Sequence, residues 1–161
     1  MEKARNEKGM TLIELIIVVA LIGVIGAVLV PTFSNVTTKA RITTDISTVK
    51  TFQRQVDIFE AEFGYIPGIK AASGNLENLK VHMTISELIE KNYMDTKYVG
   101  IDTDGNYTLT LKTSEDGVKV SVVTYDTAGR LFKLTNVPEK YMKVIENDIT
   151  AKVWVSDGEE N

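Results

Sequence analysis

Gly9-Met10-Thr11-Leu12-Ile13-Glu14-Leu15-Ile16-Ile17-Val18-Val19-Ala20 opens the one segment of this 161-residue chain that does not read as ordinary globular sequence. From Leu15 to Thr38 no residue carries a charge, and Leu15 to Val30 is apolar throughout apart from Gly23 and Gly26. The averages of 43% hydrophobic and 25% charged describe a common soluble domain. They hide a segregation: the apolar residues crowd one end and leave a body of normal composition. This argues against a freely soluble single-domain enzyme.

Outward from that segment, Met1 to Gly9 holds Lys3, Arg5 and Lys8 beside Glu2 and Glu7 and has no apolar run, so it reads as a cytoplasmic leader. An ordinary secretory signal has an apolar stretch of about 7 to 15 residues. Met10 to Pro31 is longer, and as helix it covers about 33 Å, enough for a bilayer core of about 30 Å. Glu14 fits neither a simple signal nor a simple anchor, because an acid inside a membrane segment costs at least about 2.5 kcal/mol unless hydrated, protonated or paired. Either it lies at the cytoplasmic interface, or a partner charge meets it within the membrane.

The run Gly9-Met10-Thr11-Leu12-Ile13-Glu14-Leu15, with a short charged leader before it and Ile16 to Val30 and Pro31 after it, resembles the class III signal of type IV pilins and type II secretion pseudopilins. Met10 stands where that family most often has Phe. The resemblance implies that a prepilin peptidase cuts between Gly9 and Met10 and methylates the new amine of Met10. It also implies that Glu14 of one subunit pairs with Met10 of the next. Each buried charge then offsets the other, and the pairing sets an axial register in a homo-oligomeric filament. The same helix serves as membrane anchor before assembly and as filament core afterwards. An inner-membrane pilus or secretion assembly machinery is the further implied partner, and the resemblance leaves pilus and pseudopilus open. The rival from another class is a signal-anchored extracellular binding or enzymatic domain, which keeps Met1 and tolerates loss of Glu14.

Beyond the apolar segment, Gly23, Gly26 and Pro31 predict a kink or local melting of the helix. Phe33, Val36, Ala40, Ile46, Val49, Phe52, Val56, Phe59 and Phe63 recur at steps of mostly three or four, the mark of an amphipathic helix with one buried face. Gly64 is a natural stop. The aromatic members read as core, not as an electron pathway. The chain therefore divides into leader 1–9, membrane or filament-core helix 10–31, amphipathic continuation 32–64 and globular domain 65–161. The fold class is α+β, a long helix on a small antiparallel sheet, the lollipop layout that the resemblance also implies.

In the body, Gly64 to about Lys80 reads as a loop, and Thr84-Ile85-Ser86-Glu87 as a capping box starting a helix over Ile85 to Lys91. Tyr107–Thr113, Val118–Tyr125 and Arg130–Thr135 read as strands joined by Glu115-Asp116-Gly117 and Asp126-Thr127-Ala128-Gly129, a three-stranded meander. A short helix over Pro138–Asn147 and a last strand over Thr150–Val155, holding Trp154 as a packing residue, complete the domain.

Chemistry has little to stand on. There is no cysteine and one histidine, His82, so neither a His-based triad nor a zinc cluster fits in one chain, and no cofactor is expected. Asp102, Asp104 and Asn106 place oxygen atoms at alternate positions as in a calcium loop. However, Gly105 precedes Asn106 and no Glu follows at the required distance, so a Gly-containing turn is the preferred reading. Asn35-Val36-Thr37 and Asn106-Tyr107-Thr108 match the glycosylation triplet, a pattern short enough to arise by chance. The net charge of −4 and the split between a basic stem (Lys39, Arg41, Lys50 and Arg54 against Asp45) and an acidic body do not suit nucleic-acid binding.

Overall fold

Apart from Glu14, Gly23 and Gly26, positions 12–30 are Leu, Ile, Val and Ala, and a backbone in an apolar surrounding must satisfy its own hydrogen bonds, which favours a helix despite the many β-branched residues. The computed structural model, which describes residues 10–116 and 121–156, has there the start of one helix, α1 (Leu12–Phe63), 52 residues long. The leader with Gly9, the Gly117 turn, the beginning of the strand expected at Val118–Tyr125 and the tail after Ser156 lie outside the described residues. The helix passes residues 23–31 unbroken, so the local melting expected there is absent. Pro31 deprives the Ala27 carbonyl of its N–H partner, and the next residue brings an extra donor to the neighbouring carbonyl: Thr32 Oγ1 donates to Val28 O at 3.1 Å.

The chain divides into two units, the first ending at Thr37 and the second starting at Thr38. In the first, every Leu, Ile and Val from Leu12 to Val36 is exposed, and so is Phe33. The amphipathic stripe consequently begins later than expected. Its buried members are Ile42, Ile46, Val49, Phe52, Val56 and Phe59, spaced by three and four. Phe33, Val36, Ala40 and Phe63 are not among them.

In the second unit this stripe packs on α2 (Val81–Glu90) and on four short strands. They are β1 (Val99–Ile101), β2 (Tyr107–Leu109), β3 (Val122–Asp126) and β4 (Leu131–Thr135). Helices α3 (Glu139–Ile145) and α4 (Ile149–Lys152) follow. The architecture is α+β, as expected. The meander is not seen among the described residues: β1 pairs antiparallel with β2 and β3 with β4, in two separate two-stranded sheets.

Asp45 takes up the backbone donors that follow β2. It is fully buried on α1, on the same face as Ile42 and Val49. Its carboxylate accepts the Lys112 N–H at 2.7 Å and the Thr113 N–H at 2.8 Å. It also accepts the Thr113 hydroxyl at 2.6 Å, and Ser121 Oγ lies 2.8 Å from Thr113 Oγ1. Donors that would extend a ladder serve the helix instead, and the chain turns into a 3-10 segment at Thr113–Asp116. Gln53 acts similarly on β4, its Oε1 accepting the Phe132 N–H at 2.9 Å. Further along the same edge, the Leu134 N–H donates to Trp154 O and the Ser156 N–H to Leu134 O. Phe132 and Leu134 point inward, and the Phe132 ring meets Phe52 edge-on at 4.8 Å.

Two further expectations give way to side-chain chemistry. The helix expected from Ile85 begins at Val81 after Lys80, which places Thr84 inside it with a buried hydroxyl lacking a partner among the described residues. Glu87 is therefore no capping residue. It accepts the Tyr65 hydroxyl at 2.8 Å and the Gly68 N–H at 2.6 Å, holding the loop after α1 against α2. The strand expected at Thr150–Val155 is instead the turn of helix α4, because Asp148 Oδ1 caps it by accepting the Ala151 N–H at 2.9 Å. Only Val155 pairs, in parallel with Leu134, while Trp154 lies half-buried with Lys50 Nζ 5.5 Å from its ring centroid.

Candidate assembly helix and its N-terminal cap

A helix start leaves backbone N–H groups without partners. Here Thr11 and Glu14 supply the reciprocal solution of a capping box. The Glu14 N–H donates to Thr11 Oγ1 at 3.3 Å, and Glu14 Oε2 accepts both the Thr11 N–H and the Thr11 hydroxyl, each at 2.8 Å. The sequence Thr-x-x-Glu carries this signal at position 11 just as it does at position 84. Only the first forms, because Thr84 lies inside a helix that already begins at Val81 and Glu87 is engaged by Tyr65 and Gly68.

Both bonds land on Oε2, so Oε1 takes no part in the box. The acid thus has a local role in the single chain and one oxygen left to face another group. Met10, the residue that cleavage after Gly9 would make the first, directly precedes Thr11. Pro31, the other residue expected to matter for assembly, lies within the helix. Among the described residues α1 is the one helix long and apolar enough to cross a membrane, with a mean hydropathy of 3.0 over its most apolar 18 residues and none of that stretch buried.

The acidic loop is a turn. Asp102 Oδ1 accepts the N–H groups of Asp104 at 2.9 Å and of Asn106 at 2.8 Å, and Oδ2 lies 3.4 Å from Asn106 Nδ2. The Asn106 N–H, ahead of the others, holds the Asp102 carboxyl below the usual carboxylate range. Gly105 takes φ +81° and lets the chain reverse into β2. The Asp102 carboxylate thus binds its own loop, and the described residues contain no cluster of three His, Asp or Glu side chains placed for a metal.

Sequence comparison agrees with the N-terminal reading. Residues 4–30 match the prokaryotic N-terminal methylation motif. Two curated relatives, each named fimbrial protein and each from Pseudomonas aeruginosa, are 28% identical over 123 residues, covering 74% of this chain and 79% of the relative. No solved structure matches the chain. The chain thus carries a prokaryotic N-terminal methylation motif at the start of a long apolar helix, ahead of an α+β body, and is similar to fimbrial proteins over most of its length.

The residue that the sequence reading overlooked is Asp45. Its signal was present, since it is the lone acid of the stem and lies at helical spacing with the apolar stripe.

Proposed function

We propose that this protein is the structural subunit of a type IV pilus. A prepilin peptidase removes residues 1–9 by cutting between Gly9 and Met10 and methylates the Met10 amine. The processed chain waits in the membrane as a single-pass protein and is then drawn by an inner-membrane machinery into a helical filament at the cell surface. The observation that carries this is one acid, Glu14, the fifth residue past the cut, in a helix otherwise free of charge as far as Thr38.

The chemistry is electrostatic. Cleavage creates a cationic amine at Met10, and a carboxylate from a neighbouring chain is the counter-charge that makes burial of both affordable in an apolar core. The capping box orients Glu14 for this by fixing Oε2 on Thr11. Pro31 leaves one carbonyl without its usual partner, a point at which a tightly packed helix can yield. The name of the curated relatives supports a pilus over a secretion pseudopilus.

Mass spectrometry of the mature N-terminus tests the reading. The expected first residue is Met10, heavier by one methyl group. A chain that keeps Met1 to Gly9 where a prepilin peptidase is present would overturn it.

A further inference from the structure

Thr44, Thr48, Thr51 and Gln55 follow one another on α1 at steps of four, three and four, so they share one face of the helix. That face lines an open trough. Opposite it runs the segment 91–98 between α2 and β1, where Met94 and Tyr98 border two adjoining clefts of about 710 and 550 Å³. Each has the volume of a ligand site, about 300 to 1,000 Å³.

The trough carries little net charge. Asp95 is the charged residue of its described lining, and Lys97 Nζ lies 3.0 Å from the Asp95 carboxylate. The hydrogen-bonding groups left over are neutral. The amides of Gln55 and Asn92 and the hydroxyl of Thr96 line the larger cleft and make no hydrogen bond among the described residues. Thr44, Thr48 and Thr51 donate instead to the carbonyls of Ala40, Thr44 and Ser47, at 2.8, 3.1 and 2.9 Å. They therefore offer the smaller cleft methyl groups and oxygen lone pairs. Tyr98 is 68% exposed although Lys97 Nζ lies 4.8 Å from its ring centroid.

Sugar hydroxyls donate and accept, as the two amides and the Thr96 hydroxyl do, and the C–H face of a pyranose covers an exposed aromatic ring. We propose that the trough binds a neutral oligosaccharide laid along α1, with one ring on Tyr98 and its hydroxyls on Gln55 and Asn92. An extended peptide fits less well, because the unpaired groups are side-chain amides and the neighbouring strand β1 has only three residues. The site lies wholly within the body and needs neither a membrane nor a filament.

The chain has no cysteine, so Ile149→Cys, in a separate cleft, carries a single fluorophore on the full-length protein. In a sugar-free detergent this protein is applied to an array of neutral, sialylated and sulfated oligosaccharides and to a parallel array of uncharged Ser/Thr-rich peptides. Retention on neutral oligosaccharides is expected. Tyr98→Ala should weaken it about tenfold. Asn92→Gly should weaken it severalfold; Asn92 has φ +60°, so glycine removes the amide and keeps the backbone conformation. Retention of no neutral oligosaccharide overturns the proposal. Equal affinity of both variants and the parent puts the binding elsewhere and overturns it as well. Retention confined to charged glycans and abolished by salt, or confined to the peptides, gives the trough a different ligand and rejects the sugar.

Discussion

Asp45 and Thr113, 68 residues apart in sequence, are joined by two hydrogen bonds at 2.6 and 2.8 Å inside the core of the body. The acid comes from the helix and both donors from the segment after β2, so one side chain ties that segment to the helix. Replacing Asp45 by Ala takes the acceptor from the buried Thr113 N–H and from the Lys112 N–H. The expected loss is about 3 kcal/mol, read as a lower urea midpoint for the detergent-solubilised chain. An unchanged midpoint would contradict the role given to Asp45.

Gly68 offers a sharper steric test. It has φ +86°, and a Cβ there would come 2.7 Å from Thr84 N and 2.8 Å from Met83 C, both backbone atoms of α2. Gly64 also has a positive φ, +77°, but faces open space. Gly64→Ala should cost about 1 kcal/mol from conformation alone, whereas Gly68→Ala should cost clearly more because α2 must move. Equal thermal shifts for the two variants would rule out the close approach.

Acid sensitivity should trace in part to Asp126. The Lys133 ammonium at 2.6 Å, followed by backbone N–H groups of its own turn, holds the Asp126 carboxyl below its ordinary value. A carboxyl that ionises more readily in the folded state stabilises the fold fully above its unfolded value of about 4. That contribution drains away as the pH falls through the lower, folded value. Both side chains are partly exposed, so the contribution is at most about 1 kcal/mol. Urea titrations at about pH 6 and about pH 2.5 should show a smaller acid-induced loss for Asp126→Asn than for the parent.

Glu14 can be separated into its two roles. Gln serves in a capping box as Glu does but carries no charge. If Glu14 meets the Met10 amine of a neighbour, Glu14→Gln and Glu14→Ala should both insert into the membrane and both fail to enter filaments, measured by the ratio of sheared filament to membrane-bound subunit. If only the cap matters, Glu14→Gln will assemble normally while Glu14→Ala will not.

Periodicity made much of this fold legible. An unbroken apolar run can only be a helix that something else must cover, and steps of three and four from Ile46 to Phe59 located its buried face. Alternation in Leu131–Thr135 located a strand. What stayed hidden was where side chains take over from the backbone. A sequence shows that residues 107–113 favour β structure but not that Asp45 will claim the N–H groups of Lys112 and Thr113. It shows Thr-x-x-Glu twice but not that Glu87 is needed by Tyr65 and Gly68. The candidate site was easier, because a charge in an apolar run stands out without any fold, although its pairing with Thr11 in a cap went unread.

The outer edge of β4 is closed by Gln53 from one side and by Trp154 and Ser156 from the other. In order of synthesis, the helix stripe from Ile42 to Phe59 is made early, and the backbone that seals its partner strand follows only with Trp154 and Ser156. A chain emerging from the ribosome delivers its membrane-length segment long before its body can close, since that body waits for Val155. Translation stopped shortly before that residue would leave a tethered but unfinished domain with its apolar stripe uncovered, a ready substrate for proteolysis. Only subunits translated through Val155 would carry a sealed core into whatever assembly follows.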